Sequence, residues 1–328
     1  MRKILTVSVV FFLICIFLSA VVSHYTSCHQ TFFALDTNIS IKAKGAFAKK
    51  AVTDCIEETH RIEKLFSAYI PSSEVFNLNK TGKMTASEET KKIISDAVSF
   101  SKKTYGAFDI TIKPLADLWD IKNLSDKKDI PSDDEIKQEL SKVGFENIHI
   151  YNNEITLKNN AKIDLGAIAK GYIADKAKDI MQKYNIKEAV LDFGGNIYVI
   201  GDKTYKIGLQ NPNSERGEYF GIYEGKNISV VTSGAYERKT ELDGKMYHHI
   251  ISPFDGKCAS SGITSVSIMG TSSTKCDAFA TAVYVLGVEK GLEIVNNEPD
   301  IECVITDENN KVYFSDNVEF KITDESFK

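Results

Sequence analysis

The stretch that most constrains the fold spans residues 162–176, KIDLGAIAKGYIADK. An apolar strand ends at Asp164, and an apolar pattern at helical spacing follows the turn. Gly166 and Gly171 carry no Cβ, so another group can approach the backbone closely at both. A turn of small residues at a helix start offers backbone N–H groups to an anion, and Lys170 adds a positive charge. The stretch therefore predicts an anion site or an ordinary strand-to-helix connection, and the pattern alone leaves both open.

The rest of the chain predicts a mixed α+β fold. Its 328 residues suit one large domain, and helical and strand patterns interleave without repeats or a low-complexity linker. A net charge of −5 and the lack of a basic stripe with interleaved aromatics argue against a nucleic-acid partner. The six cysteines form no CxxC pair, so the sequence indicates neither a zinc site nor a redox dithiol.

The amino terminus has the pattern of a targeting segment. Arg2 and Lys3 precede an apolar run over residues 4–22, typical of a secretion signal or of a membrane anchor, which needs about 20 residues. Residues 25–28 (YTSC) resemble a bacterial lipobox, although tyrosine stands where leucine is usual. Lipid attachment at Cys28, an uncleaved anchor and simple secretion all remain open, and Cys28 need not belong to the fold. We therefore expect a leader over residues 1–28 and an extracytoplasmic domain over residues 31–328.

Hydrophobic periodicity and capping residues predict the elements between these points. We expect helices over residues 46–66, 87–104, 132–143, 167–181 and 274–286 and a hairpin of Ile148–Tyr151 and Glu154–Leu157, with strands over residues 32–44, 189–193, 205–210, 227–232 and 266–269 and one ending at residue 200.

Asp277 and Thr281 are the best candidates for metal ligands. They stand at positions i and i+4 of a predicted helix and therefore share one face. A carboxylate and a hydroxyl suit a hard cation such as Mg²⁺, which then needs further oxygens, typically from phosphate. For an isolated pair, however, a helix cap or salt bridge beside a packed threonine is the commoner outcome.

His249 is the candidate general base. It follows His248 at the end of an apolar strand, so the two side chains point to opposite faces and only one can face a cleft. Histidine can accept a proton near neutral pH, although a structural histidine is the commoner outcome.

Five further side chains could contact a ligand. Tyr69, Phe108 and Tyr236 could stack on a flat heterocycle or pack in the interior. Asp109 and Asp164 could bind a ligand or act as helix caps and turn acceptors.

The order of five motifs adds a resemblance to these single-residue signals. DLGAIAKGYIAD (residues 164–175), LDFGGNIYVIG, SGAYER, HHIISP and DAFATAVYVLG resemble the successive signatures of the ApbE family, whose members are FAD:protein FMN transferases, also described as flavin-trafficking lipoproteins. The likeness begins near Ala34 (ALDTNISI), passes through SAYIPSSEVFNLN and GAFDITIKPL, and reaches the last predicted helix.

The resemblance implies a single large α+β catalytic domain that takes FAD as its substrate and Mg²⁺ as its cofactor. It implies transfer of FMN to a threonine hydroxyl of a partner flavoprotein, with release of AMP. The partner is expected to be a subunit of a membrane redox complex. By position, the metal ligands would be the Ala167 carbonyl and the side chains of Asp277 and Thr281, and His249 would be the base. FAD would contact Leu35, Tyr69, Ala107, Phe108, Asp109, Asp164, Lys170 and Ile250.

Two positions depart from the family pattern. Ser252 stands where the pattern HxxDP has aspartate, which puts activity or metal affinity in question, and Leu35 stands where many relatives have methionine. Two alternatives therefore stay open. One is an FAD pyrophosphatase that yields FMN and AMP, and the other is a non-catalytic FAD-binding lipoprotein.

Overall fold

The computed structural model describes residues 8, 11–16, 26–127, 129–215 and 217–328. Residues 8 and 11–16 are helical. The later helices are α1 (Ala48–Phe66), α2 (Glu74–Thr81), α3 (Glu88–Lys103), α4 (Lys113–Trp119), α5 (Leu124–Lys127), α6 (Asp133–Leu140), α7 (Gly166–Lys183), α8 (Ser273–Leu286) and α9 (Val288–Asn296). The strands are β1 (Ser27–Ala34), β2 (Thr37–Lys44), β3 (Lys83–Thr85), β4 (Ile148–Tyr151), β5 (Glu154–Leu157), β6 (Glu188–Asp192), β7 (Asn196–Ile200), β8 (Tyr205–Gln210), β9 (Tyr219–Gly225), β10 (Ile228–Gly234), β11 (Lys239–Leu242), β12 (Lys245–His248), β13 (Ile263–Gly270), β14 (Ile301–Asp307), β15 (Val312–Phe314) and β16 (Phe320–Ile322).

An antiparallel sheet forms the centre of the fold, in the order β1-β2-β6-β7-β10-β13-β14-β15. Side chains alternate between its faces, as the strand period requires. One face packs against helices α1, α3, α7, α8 and α9, and this layer holds the main hydrophobic core. The other face packs against the small sheet β16-β9-β8 around Phe220. The predicted α+β class is therefore confirmed.

A separate small lobe carries its own apolar cluster. It comprises residues 113–127, 129–143 and 239–258, and its cluster includes Leu115, Trp119, Tyr247 and Ile251. The Trp119 indole Nε1 donates a hydrogen bond to the Gly256 carbonyl over 2.7 Å. The Trp119 ring lies 5.7 Å from the Tyr247 ring, centroid to centroid. The hairpin β11–β12 is thus held by α4–α6 rather than by the central sheet.

Several predicted elements are confirmed with small changes in their bounds. Helix α3 begins after its N-cap Ser87, and α6 begins after Ser132, which forms the expected capping box with Glu135. The β4–β5 hairpin has the predicted bounds. The pattern did not predict α2, a helix of 8 residues that begins after its N-cap Ser73.

The single strand predicted over residues 32–44 is wrong. The chain forms a hairpin there, in which Ala34 pairs with Thr37 across a turn at Leu35 and Asp36. Both turn residues have positive φ angles, 55° and 59°, which favour the tight reversal but strain a leucine backbone. The usual Asn-Gly turn signal is missing, so the alternating pattern read as one continuous strand.

The fold begins earlier than the predicted boundary at residue 31. Cys28 lies in β1 opposite Ala43 and packs against the main core. Most of the predicted signal or anchor, and Tyr25 of the lipobox-like motif, lie outside the described residues. Within the described part of the chain, no helix combines the length and apolar character needed to cross a membrane.

Candidate active site

Helices α7 and α8 cross closely enough to exclude side chains between them. The Gly171 N–H donates to Asp277 Oδ2 over 2.9 Å, and Asp175 accepts from the Ser273 N–H over 3.0 Å. A Cβ on Gly171 would lie 2.3 Å from the Ser273 carbonyl oxygen. We call this contact the seam. The close approach expected at Gly171 is therefore confirmed, and the approaching group is another helix of the same chain.

The seam brings the predicted metal ligands together. Its two contacts pair Gly171 with Asp277 and Asp175 with Ser273, so the helices run in opposite directions. Continued by one turn, this antiparallel register puts position 167 opposite position 281. In an α-helix the Gly171 N–H also points at the Ala167 carbonyl, four residues back. The Ala167 carbonyl and Asp277 Oδ2 therefore lie beside the same N–H group.

These donors fit a hard cation. A carbonyl, a carboxylate and a hydroxyl are all oxygen ligands, which Mg²⁺ prefers, and three protein donors leave positions for water or phosphate oxygens. Among residues 26–127, 129–215 and 217–328, no cluster of three or more His, Cys, Asp or Glu side chains could hold a metal ion. A metal at the seam would thus depend on mixed donors and on oxygens of the ligand.

Lys170 compensates the buried charge of Asp277. The carboxylate is 2% exposed, and the Lys170 ammonium lies 3.5 Å from Asp277 Oδ1. A cation bound beside Asp277 would compete with this ammonium for the carboxylate. It would then free Lys170 to pair with another anion, such as a phosphate oxygen.

Asp164 acts as a turn acceptor at the start of α7. Its Oδ1 accepts from the Gly166 N–H over 2.7 Å, and its Oδ2 accepts from the Tyr69 hydroxyl over 3.4 Å. The first N–H of α7 is therefore occupied by the chain's own carboxylate, and Lys170, one turn later, supplies a positive charge on the same helix. The Tyr69 side chain is exposed, with the Lys113 ammonium 4.3 Å from its ring centroid.

The segment after α3 keeps its side chains inside the fold. Ala107 and Phe108 are each 1% exposed and belong to the main core, so the Phe108 ring packs in the interior instead of stacking on a ligand. Asp109 accepts from the Thr111 N–H over 2.8 Å and from its hydroxyl over 2.6 Å. Burial raises the pKa of Asp109, and the hydrogen bonds from Thr111 oppose that rise.

His249 follows β12 in the small lobe and has an exposed, neutral imidazole. Its N–H and its Nδ1 both lie within hydrogen-bond distance of the Arg238 carbonyl, at 3.2 and 3.3 Å. The residue keeps an exposed surface, yet the pKa of His249 is lowered to about 4, chiefly because surrounding protein removes water from the ring and also because of the positive charges of Arg238 and Lys170. The ring of the preceding residue, His248, lies 5.8 Å from the Tyr284 ring of α8, centroid to centroid, so the end of β12 lies beside the helix that carries Asp277. His248 points elsewhere, with Nε2 3.1 Å from the Ala259 carbonyl.

Ser252 forms the turn that follows the histidine. Its hydroxyl accepts from the Phe254 N–H over 3.3 Å, and its carbonyl accepts from the Gly256 N–H over 2.9 Å. An aspartate at this position would serve the same turn through its carboxylate. Ile250, two residues earlier, is buried, and its carbonyl accepts from the Ala259 N–H over 2.9 Å.

The Leu35 turn lies beside the double glycine of the LDFGG motif. The Leu35 N–H donates to Glu63 Oε1 over 2.7 Å. A Cβ on Gly194 would lie 2.3 Å from the Thr37 hydroxyl oxygen, so the two turns touch. Gly194 also has a φ of 67°, which favours glycine. A strained leucine backbone at this point is consistent with a constrained binding loop.

Comparison with known proteins agrees with the ordered motifs. The ApbE family profile matches residues 35–305. The chain belongs to the ApbE family.

Curated members of the ApbE family align over much of the chain. An FAD:protein FMN transferase of Treponema pallidum (strain Nichols) is 32% identical over 65% of this chain and 64% of the relative. One from Klebsiella pneumoniae (strain 342) is 31% identical over 78% of this chain and 81% of the relative. The crystal structure of the ApbE protein from Thermotoga maritima MSB8 superposes with a TM-score of 0.83 at 30% identity, covering 89% of this chain and 97% of the other.

Sequence reasoning missed Asp175 and Arg238. Asp175 ends the ApbE-like motif DLGAIAKGYIAD and stands one turn after Gly171. The sequence therefore indicates that the two residues share a face of the helix. The sequence does not indicate which residues of α8 Asp175 contacts. Arg238 ends the motif SGAYER, but its effect on His249 depends on the pairing of β11 with β12.

Proposed function

We propose that this ApbE-family chain transfers FMN from FAD to a threonine hydroxyl of a partner flavoprotein, releases AMP and uses Mg²⁺. The relatives from Treponema and Klebsiella are named FAD:protein FMN transferases. The observation that carries the proposal is the seam, where Asp277 lies beside the Ala167 carbonyl and the Lys170 ammonium.

The chemistry divides between the seam and the small lobe. Mg²⁺, held by the Ala167 carbonyl, Asp277 and Thr281, would supply positive charge to the FAD pyrophosphate. Lys170 would pair with a further phosphate oxygen, and neutral His249 would accept the proton of the threonine hydroxyl. The threonine Oγ then bonds to the FMN phosphorus, the bond from that phosphorus to the bridging oxygen breaks, and AMP leaves with that oxygen.

The remaining predicted contacts form the flavin-binding part of the proposal. The exposed Tyr69 ring is available to stack on a flat heterocycle. Buried side chains leave only backbone groups of Ala107, Phe108 and Ile250 to a ligand, and Leu35 would contribute its strained turn.

The location of the enzyme is a further part of the proposal. We expect the domain outside the cytoplasm, attached to the cell membrane, where an acceptor subunit of a membrane redox complex would be accessible. The core side of β1 carries Cys28. This orientation favours attachment through the apolar run over residues 4–22 rather than through a lipid on Cys28.

An FAD pyrophosphatase is the second candidate, and the exposure of His249 favours it. An accessible base can activate water as well as a protein hydroxyl. A non-catalytic flavin carrier is less favoured, because Ser252 serves a turn that an aspartate would also form.

The test is to incubate the full chain in detergent with FAD, Mg²⁺ and a candidate acceptor domain. We expect covalent FMN on the acceptor, read by in-gel fluorescence and mass spectrometry, together with AMP. An acceptor whose threonine is replaced by alanine is the matched control. Free FMN and AMP without labelling would favour the pyrophosphatase, and intact bound FAD would favour the carrier. Full activity of Asp277→Ala would contradict the metal assignment.

A further inference from the structure

The carboxylate of Asp175 closes the amino terminus of α8 from the neighbouring helix. Its Oδ1 accepts from the Ser273 N–H over 3.0 Å. Its Oδ2 accepts from the Thr274 N–H over 3.0 Å, from the Thr274 hydroxyl over 2.6 Å and from the Ser272 hydroxyl over 3.1 Å. A negative charge at this end of a helix is also favoured by the helix dipole.

The backbone N–H groups at the start of α8, from Ser273 to Cys276, are all hydrogen-bonded. Besides the two N–H groups held by Asp175, the Lys275 N–H donates to the Ser272 hydroxyl over 3.3 Å and the Cys276 N–H to the Ser272 carbonyl over 3.0 Å. The Cys276 bond is the first i→i−4 bond of the helix, and Ser273, Thr274 and Lys275 are the helical residues whose N–H groups have no partner inside the helix. The chain's own carboxylate and hydroxyl thus hold the N–H groups of Ser273, Thr274 and Lys275, which indicates a structural role for this helix end.

Asp175 and Gly171 act on α8 from one face of α7. They stand one turn apart, and their partners Ser273 and Asp277 stand about one turn apart on α8. Two contacts at this separation fix both the position of α8 along the seam and its rotation about its own axis. The rotation decides whether Asp277 faces the Ala167 carbonyl.

We propose that Asp175 is a positioning residue for the metal site, holding α8 so that Asp277 and Thr281 face the Ala167 carbonyl. The inference rests on the proposed function only in taking this site to bind Mg²⁺. Residues that orient metal ligands without touching the metal commonly change its affinity by about 10- to 100-fold.

Asparagine at position 175 is the sharpest probe because its shape is unchanged. It keeps one acceptor oxygen but removes the charge. Its NH₂ group, a donor, would face either the Ser273 N–H or the hydroxyls of Ser272 and Thr274, which are donors in the wild-type chain. The first turn of α8 should then shift or rotate while the core residues of the helix stay buried.

The matched control weakens the same turn of α8 from its other side. The Lys275 ammonium lies 2.5 Å from Glu298 Oε2 and 3.2 Å from Asp300 Oδ1, away from the seam. Glu298→Gln should lower the unfolding temperature about as much as Asp175→Asn, without changing the orientation of Asp277 toward the Ala167 carbonyl.

The experiment is a calorimetric titration of the full chain, saturated with FAD, with MgCl₂. We expect Asp175→Asn to weaken Mg²⁺ binding about 10-fold or more, and Glu298→Gln by less than about twofold, at similar losses in unfolding temperature. If Asp175→Asn does not fold, Thr274→Val is the second variant. It removes only one hydrogen bond to Asp175, and we expect its loss of Mg²⁺ affinity to be intermediate.

Unchanged Mg²⁺ affinity in Asp175→Asn, with a lowered unfolding temperature, would overturn the inference and leave Asp175 a helix cap. An FAD-saturated wild-type chain that binds no Mg²⁺ would overturn both this inference and the proposed metal. A chain that binds Mg²⁺ but labels no acceptor contradicts the transfer reaction alone, and the affinity ratio between variants still decides the role of Asp175.

Discussion

The seam and the small lobe hold the two halves of the site by different means. At the seam, Gly171 lets a helix backbone approach so closely that a Cβ would lie 2.3 Å from a carbonyl oxygen, and the Asp277 carboxylate is 2% exposed. In the small lobe, side-chain packing around Leu115 and Trp119 holds the hairpin that leads to an exposed His249. The charge-neutralising half is thus part of the main core, while the base stands on a unit with its own cluster. Substitutions should therefore separate metal affinity from the catalytic step.

Gly171→Ala should have the largest effect. The obstacle is the Ser273 backbone, which cannot rotate away as a side chain could, so we expect a loss of about 3 kcal/mol or more in unfolding free energy. Mg²⁺ affinity should fall with it, because α8 must move. Urea unfolding and metal titration measure the two effects.

Gly291→Ala is the matched control for that substitution. It also lies inside a helix, but its added Cβ would meet the Val283 side chain, 2.7 Å away, which can adjust. We expect a loss smaller by at least about 1 kcal/mol. Equal losses at the two glycines would mean that the seam is no more rigid than the rest of the core.

Leu115→Ala and Leu191→Ala compare the two cores directly. Both side chains are fully buried, Leu115 in the small lobe and Leu191 in the main core. Each truncation should cost about 2–4 kcal/mol in the unit that contains it. We expect Leu115→Ala to lower FMN transfer with Mg²⁺ affinity retained, and Leu191→Ala to lower global stability and metal affinity together. Loss of metal affinity in Leu115→Ala would refute the separation.

The pH dependence of transfer should report the charge around His249. Its pKa is lowered to about 4, so the neutral base persists above that pH and is lost as the pH falls through it. Arg238→Gln removes one opposing positive charge and keeps the backbone carbonyl that His249 contacts. The acid limb of kcat/KM should therefore move to higher pH, by less than about one unit because the arginine is exposed. A shift to lower pH would contradict the assignment of His249 as the base.

Ser252 should give the smallest effect. Ser252→Ala loses the hydrogen bond from the Phe254 N–H and should cost about 1 kcal/mol or less, with transfer within about twofold of wild type. Ser252→Asp should also stay within about twofold, since the position serves a turn. A large gain in Mg²⁺ affinity in Ser252→Asp would show that the aspartate of the family pattern acts on the metal.

Local sequence patterns predicted the features that depend on residues close together in the chain. The capping box of Ser132 and Glu135 and the N-cap at Ser87 were readable, because caps depend on neighbours in sequence. Gly171 was also readable as a place of close approach. The hairpin turn at Leu35 and Asp36 was not, because these residues are poor formers of such turns and the tertiary structure imposes positive φ on them.

The sequence did not predict features that depend on the register between two helices. The i and i+4 spacing predicted one shared face for Asp277 and Thr281, but not that Ala167 faces them from another helix. Likewise, Asp164 was expected as either a ligand or a turn acceptor. Only the structure shows its bond to the Gly166 N–H, which removes that donor from the anion site.

The hydrogen bond from Trp119 to Gly256 has a practical consequence. The chain contains one tryptophan, and it packs beside Tyr247, two residues before His249. Tryptophan fluorescence of the flavin-free protein, excited where the 14 tyrosines do not absorb, is therefore an optical signal from the small lobe alone. Set against far-ultraviolet circular dichroism, which reports mainly on the larger sheet and its helices, it gives separate melting curves for the two halves of one site.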